Sequence, residues 1–372
     1  MASAGVVTKA RKAVEAALRI ARTEAVDLSQ VKGIRAVRIL LREAQQELDA
    51  RLASIETIGA GPGSYSALST RAAIEQVQAT TMNLSRGLKV ALLDSTRASA
   101  TAATGNVIDH LTRMDKLFKG VGVQPIALDN ARMFDRAVMG TESSLLRRLS
   151  SGQNAATPTG QGILERYGTA VISSFEDRLQ MAAITRQPWA DVRTAITKES
   201  PFLESAPSYW AERIVRTECM AGYNKGTFEA TREADDTLGD VVKILCASFD
   251  NRTASDSYAL HGQIRRPEEA FQWWKGLYQH PPNRPNDREV VVMHRISWPL
   301  PDELQPRSDA EVLARWKEEG RKGSPPSRPK MTTVPLHFFG AALPPTEQRN
   351  PRRGPQARQN AVEQLTKAVR IG

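Results

Sequence analysis

Apolar residues in the first 58 positions fall on one stripe of a helix. Val14, Leu18, Ala21, Ala25 and Leu28 recur at steps of four and three, and Ile34, Val37, Leu41, Leu48, Leu52 and Ile55 continue the stripe past Gly33. That period predicts a long amphipathic helix, with Arg35, Arg38, Arg42, Glu43 and Glu47 filling the polar face. Such a stripe needs a covering helix, from this chain or from a second copy. A second stripe, Ile74, Val77, Thr81, Leu84, Leu88 and Leu92, predicts a helix over residues 69–100. Its tail over 95–104 is rich in Ala, Ser and Thr and is expected to fray. With the first helix it would form a long antiparallel hairpin. Two more amphipathic segments, 107–118 and 130–149, flank a loop holding Gly120, Gly122 and Pro125.

Residues 150–160 are rich in Ser, Gly, Thr and Pro and read as a linker. Leu164, Tyr167, Val171, Phe175 and Leu179 mark a helix over 161–181, Pro188 opens a shorter one over 189–196, and a third runs over 208–232. The pattern changes after Gly239. The β-branched runs 241–246 and 289–294 predict two partly buried strands, with Phe271, Trp273, Trp274 and Tyr278 between them. Beyond Trp298 the chain loosens. A short helix over 309–319, capped by Ser308 or Asp309, and a terminal helix over 360–371 punctuate an extended tail marked by Pro325, Pro326, Pro329, Pro344, Pro345, Pro351 and Pro355. The expected fold is mainly α with a small α+β domain. Its parts would be a helical domain over 1–150, a helical connector over 151–200, the α+β module over 201–300 and a Pro-rich basic tail over 301–372.

Charge sharpens this division. Of the net +10, residues 321–372 hold +8, from seven Arg and three Lys against Glu347 and Glu363, so the preceding 320 residues are nearly neutral. A basic appendage on a neutral body suits contact with a polyanion. Arg321, Lys322, Arg328, Lys330, Arg349, Arg352, Arg353 and Arg358 are the expected DNA contacts. Full use of the eight net charges would give a salt slope of at most about −7, without sequence preference. No apolar run approaches the length of a membrane span and no signal-like segment opens the chain, so no membrane partner is expected. Cys219 and Cys246 stand alone in apolar settings and read as free core thiols.

Polar residues cluster most densely between Tyr209 and Trp298. Arg216, Thr217 and Glu218, with Asn224 downstream, lie on the third of those helices; Asp250, Arg252 and Thr253 form a turn; Gly262 forms another; Pro281, Pro282, Pro285, Asn286 and Arg288 precede the second strand. Arg216 and Glu218 sit two apart on a helix and point to different sides, so each needs a partner elsewhere. The expectation is that Glu218 or Asp250 accepts paired bonds from Arg252 or Arg288, locking the helix to the two turns.

This order of motifs resembles the phage minor head protein family, the head-morphogenesis proteins related to phage Mu protein F. The resemblance covers about a quarter of the chain. It implies a Mu F-like module of structural character, with Arg216, Thr217, Glu218, Asn224, Asp250, Arg252, Thr253, Gly262, Pro285, Asn286 and Arg288 as its polar network. It also implies a virion protein, made in the bacterial cytoplasm and carried in the head interior. The implied partners are the portal protein, a major capsid or scaffolding protein beside it, and double-stranded DNA whose ejection the protein assists. Many members carry cysteines in the Arg-Thr turn and around the final Asn-x-Arg, in a pattern like a metal site. Here those positions hold Ala254, Ser257, Asp287 and Glu289, which suit zinc poorly, so no metal and no cofactor is expected.

Readings from other classes stand beside this one. An enzyme or effector would use Glu218, Asp250 and His261 as acid and base groups, each with its pKa set by environment. An ADP-ribosyl transfer role rests only on an Arg with a downstream Glu, residue types too common to discriminate. A freestanding nonspecific DNA-binding protein would need only the basic tail. His261, His280 and His294 are 19 and 14 residues apart, which matches no compact ligand motif. Trp273 and Trp274 beside Lys275 suit base stacking, or core packing with one exposed ring. The glycines over 59–63 lack the preceding strand and the Lys-Ser/Thr of a phosphate loop and read as a turn.

Overall fold

A computed structural model describes residues 4–59, 67–119, 129–151, 162–185, 187, 189–198, 206–250, 252–274, 276–284 and 287–333. The glycine turn after residue 59, the loop at 120–128, most of the linker, Pro285, Asn286 and the terminal helix of the sequence reading lie outside them.

The first stripe forms a continuous rod. α1 (Ala4–Val26) passes through one π-helical segment (Asp27–Gly33) into α2 (Ile34–Gly59). α3 (Ala67–Phe118) runs back along it: Arg51 donates to Gln76 at 2.9 Å, Asn83 to Glu47 at 3.0 Å, and Asn106 meets Glu24 further along. The two therefore lie antiparallel, with Val37, Leu41, Leu48, Leu52, Val77, Leu88 and Leu92 buried between them.

α3 is a single 52-residue helix, where the sequence reading placed a fraying tail and a separate segment. The small residues that suggested fraying are instead a packing seam. Thr96, Ser99, Ala100, Ala103 and Thr104 are fully buried, and α3 packs most heavily on α7 (Ala206–Leu238). A Cβ on Gly222 would lie 2.8 Å from the Thr96 carbonyl oxygen, and one on Gly226 2.7 Å from that of Ala100. The two backbones touch, which only small residues permit. The Ser99 and Thr104 hydroxyls are absorbed by carbonyls of their own helix, Ser95 at 2.8 Å and Ala100 at 2.9 Å.

α4 (Asn130–Ser151), α5 (Ile163–Ile184) and α6 (Trp189–Lys198) flank this assembly. Leu164, Tyr167, Val171, Phe175 and Leu179 are all buried, as their spacing predicts.

The strands then form two small antiparallel sheets. β1 (Val241–Cys246) lies between β2 (Ile264–Arg265) and β5 (Val290–Arg295), while β3 (Phe271–Trp273) and β4 (Gly276–Tyr278) make a hairpin. β1 and β5 pair from Val241 with Arg295 to Cys246 with Val290. α8 (Ser255–Leu260) follows the Asp250 turn. Val14 and Leu18 of α1, Val107 and Leu111 of α3, Tyr223 and Ala230 of α7, and Val242, Ile244 and Val292 of the sheet belong to one apolar cluster. The long helices and the α+β unit thus share a core.

The first part of the expected extended tail is docked. α9 (Asp309–Glu318) has a capping box between Ser308 and Glu311. Ile264 then donates its N–H to the Met331 carbonyl at 2.7 Å, and the Arg265 guanidinium bonds that carbonyl at 3.1 Å and the Lys330 carbonyl at 2.5 Å. The edge of β2 thereby gains a partner down to Thr332.

Gly226→Ala forces a methyl into the backbone of α3 and is expected to destabilise by about 1–3 kcal/mol. Gly105, on the same seam helix, has open space at its Cβ, so Gly105→Ala should be neutral or stabilising by up to about 1 kcal/mol. Urea denaturation of both variants checks the contrast.

Candidate functional site

The turn after β1 is built by its own side chains. Asp250 donates its N–H to the Thr253 hydroxyl at 2.9 Å, and its Oδ1 accepts from that hydroxyl at 3.2 Å and from the Arg252 N–H at 2.9 Å. Arg288, two residues before β5, closes the turn with a two-pronged contact: Nη2 reaches Oδ1 at 2.6 Å and Nη1 reaches Oδ2. Arg288 first, with the Arg252 N–H and the Thr253 hydroxyl adding to it, holds the Asp250 carboxyl down at about 2. Phe249 sits at φ 53°, a costly conformation for a residue with a bulky side chain. Its ring is held by the Arg307 guanidinium at 4.0 Å, His261 at 4.4 Å, Tyr258 at 5.0 Å and Arg22 of α1 at 5.7 Å.

Beside the turn lies a cavity of about 90 Å³ lined by Ser248, Arg252, Ala254, Ser257, Arg284, Asp287 and Glu289 among others. The four positions where the resembled family carries cysteines all face it. Arg284 bonds Asp256 at 3.2 Å and the Ser257 hydroxyl at 2.7 Å, while Asp287 accepts from the Asn283 N–H at 3.2 Å and the Glu289 N–H at 3.3 Å. Glu289 is 2% exposed, and neither of its carboxylate oxygens makes a hydrogen bond of good geometry. Burial pushes it up to about 8 and Asp287 adds to that, against the Ser257 hydroxyl. Burial raises Asp287 too, with Arg284 opposing. Among the described residues, no three His, Cys, Asp or Glu side chains are set to hold a metal ion.

Asn224 ties α7 to the sheet. Its amide donates to the Glu289 carbonyl at 2.9 Å and accepts from the Val291 N–H at 2.8 Å, occupying the free edge of β5 as a further strand would. Two expected partners differ from the sequence reading. Glu218 is gripped by Arg148 of α4, at 2.5 and 3.1 Å, and not by Arg252 or Arg288, because its side of α7 faces α4. Arg252 is exposed, and its backbone N–H is what reaches Asp250. Arg216 pairs with Glu212 one turn back at 3.4 Å, and Thr217 bonds the Arg213 carbonyl at 2.7 Å. Gly262 has φ +79°, and a Cβ there would lie 2.7 Å from the Pro306 nitrogen, so only glycine fits.

Glu218, Asp250 and His261 are engaged separately. His261 accepts the Ala247 N–H at Nδ1 (3.1 Å) and donates from Nε2 to the Glu303 carbonyl (2.8 Å), which fixes a neutral tautomer. Burial pulls it down to about 3. His280 and His294 likewise bond backbone carbonyls, of Pro281 and Trp298, and burial lowers them to about 3 and about 4. Trp273 and Trp274 are half-buried, with ring centroids 5.9 Å apart.

Of the expected DNA contacts, Arg321 pairs with Asp256 at 2.9 Å and Glu319 at 2.8 Å, and Arg328 pairs with Asp309 at 2.9 Å. Those two staple the docked segment, so their charge is partly matched within the molecule. Lys322 and Lys330 are exposed. Arg349, Arg352, Arg353 and Arg358 lie outside the described residues. Among the described residues, three buried cations escaped the sequence reading: Arg265, Arg295 and Lys243. Lys243, in the middle of β1, donates to the Gln279 carbonyl at 2.8 Å and side chain at 3.0 Å and lies between the Phe228 and Phe271 rings. Burial lowers it to about 7. A lone lysine inside a β-branched run was the available signal. Cys219 and Cys246 are free and buried, as read.

Arg288→Ala removes two charge-assisted bonds and should cost about 1–2 kcal/mol, discounted because the Asp250 side chain is 38% exposed. Arg252→Ala should stay within about 0.5 kcal/mol of the parent in the same urea titration. Glu289 holds its proton more tightly folded than unfolded. Its contribution is therefore complete below the ordinary carboxylate range and is lost as pH rises from 4.5 to about 8. Glu289→Gln should flatten that decline, read as the difference in urea midpoint between parent and variant across this window. Parallel curves for the two proteins would remove Glu289 as its source.

Searches of protein-family models, curated proteins and solved structures find no match to this chain.

Proposed function

We propose that the chain is a minor head protein of a tailed phage or prophage, acting in head morphogenesis near the portal and touching packaged double-stranded DNA. The observation that carries the reading is the meeting of separated motifs. Asn224 from the helix bonds the backbone on either side of Val290, and Asp250 from the turn grips Arg288 just before β5. Residues drawn from three motifs of the resembled family thus brace one small module. Their side chains serve architecture: each acid is matched by an arginine or backbone donor, apart from the buried Glu289.

A docking role for the helical half draws support from its surface. A groove of about 640 Å³ between α3, α4 and α5 is lined by Met82, Leu146, Leu149, Leu164 and Ile172, with Arg86 and Lys89 at its rim. Met82 and Leu146 are exposed there, as suits a face meant for a partner's helix, here the portal or a capsid or scaffolding protein. In this reading the protein is made in the host cytoplasm, rides in the head interior, and meets DNA through basic residues beyond the docked segment.

The experiment is mass spectrometry of purified, nuclease-treated particles from the host strain, joined to co-purification with co-expressed portal protein. Peptides of this chain should appear at a small fraction of the major capsid protein, and Met82→Asp with Leu146→Asp should weaken portal capture. Complete particles without the chain would remove the reading.

A further inference from the structure

We infer that the outward face of α1 and α2 is a second contact for double-helical DNA, made by two basic triads set one duplex turn apart. The inference shares with the proposed function only the premise that the chain meets duplex DNA.

The charge is the first observation. Residues 4–42 carry nine Arg and Lys against Glu15, Glu24 and Asp27, a net of +6, so residues 43–320 are net negative at −4. Elsewhere on the helices, several exposed arginines are matched to acids, Arg71 to Glu75, Arg97 to Glu142 and Arg132 to Glu233, while Arg86, Lys89, Arg113 and Lys116 of α3 are exposed without an ion pair among the described residues. Lys9, Lys12, Arg19, Lys32, Arg35 and Arg42 are all exposed, and none makes an ion pair among the described residues. Six unpaired cations thus share one face, with Glu15 the acid set between Lys12 and Arg19.

The second observation is register. Lys9, Lys12 and Arg19 are spaced by three and seven, and Lys32, Arg35 and Arg42 repeat that spacing 23 residues later. In an unbroken α-helix, 23 residues advance roughly 35 Å but rotate the second triad roughly 140° away from the first. The π-helical segment Asp27–Gly33 intervenes. Its i→i+5 bonds turn the chain roughly 80° per residue instead of about 100°, which removes roughly 140° over seven residues. The triads return to one face. Burial agrees: Val14, Leu18, Ala21 and Ala25 before the segment, and Val37, Leu41 and Ala44 after it, are all buried, with both helices packed on α3 and the triads turned outward.

The repeat selects the partner. One turn of B-DNA is about 34–36 Å, so a rod lying along the duplex meets the same strand's phosphates at that interval. Each triad would sit on phosphates of successive crossings, with no base readout. An acidic protein helix has no reason for this interval. Ile20, Val31 and Ile39, the exposed apolar residues here, stand singly and form no seam for one.

The test uses the full chain, the unsubstituted chain ending at Thr333, and variants changed to Gln at Lys32, Arg35 and Arg42, at all six positions, and at all six in the chain ending at Thr333. The exposed positions should leave helicity and melting unchanged. Probes are a duplex of about 24 base pairs, one of about 8, shorter than a turn, and single strands of the longer length. On the long duplex, the sixfold change should weaken binding at least tenfold and make the log-affinity versus log-salt slope shallower by up to about 5, the single triad by about half that. The short duplex, reaching one triad, should lose far less. The inference falls if the sixfold variant matches the parent while truncation after Thr333 alone abolishes binding, which leaves the DNA contact of the proposed function standing. Equal losses on single strands and duplex, or poly-L-glutamate competing as well as duplex, would also overturn it. Absence of DNA binding by every protein, parent included, would remove this inference and the DNA part of the proposed function together.

Discussion

Backbone contact between α3 and α7 is the constraint on which the other arrangements depend. Gly222 and Gly226 let α7 approach until a single added methyl would strike Thr96 and Ala100. Closeness fixes rotation as well as distance, because small residues face each other only in one register. That rotation aims the rest of α7. Asn224, between the two glycines, is turned to the edge of β5, Glu218 to Arg148 on α4, and Tyr223 to Asn106 on α3 at 2.8 Å. A shift of the seam would break contacts to three neighbours at once.

The module beyond α7 is small, so it leans on polar fixtures where apolar bulk is thin. The Asp250 and Arg288 pair joins two loops far apart in sequence, and the ring of Phe249 is gripped by arginines from α1 and from the segment after the sheet. The strain at Phe249 persists because these contacts over-determine it. Buried acids behave differently. Glu289 is buried beside the small cavity with its proton retained well above the ordinary carboxylate range, which avoids the cost of a bare buried charge. At the four positions facing this cavity the chain has an alanine, a hydroxyl and two carboxyls, with Arg284 beside them.

Much of this was legible in the residues, and the failures have physical causes. Apolar stripes placed the helices because burial follows the 3.6 period, and the β-branched runs placed β1 and β5 to within a residue. The continuity of α3 was hidden, since Ala, Ser and Thr are poor markers of burial until a glycine-bearing helix is known to face them. The Asp250 and Arg288 pair was among the expected pairings. The Arg148 partner of Glu218 was not, because 70 residues separate them and nothing local links α4 to α7. Arg321 and Arg328 were read as free charges from composition alone; only the fold shows Asp256, Glu319 and Asp309 waiting beside them.

That last misreading carries the point about charge further. Counting charges along a chain assigns excess to segments, whereas binding depends on which charges remain unmatched after folding. Arg321 and Arg328 are matched, so part of the tail's excess is spent within the molecule. Lys9, Lys12, Arg19, Lys32, Arg35 and Arg42 sit in a body of 320 residues that is nearly neutral in total, yet none of them is paired with an acid among the described residues. The π-helical segment gives the distinction its geometry. Without it the apolar stripe of α1 and that of α2 would diverge by the same angle as the triads, so the device that keeps the rod seated on α3 necessarily lines up the positive residues on its back.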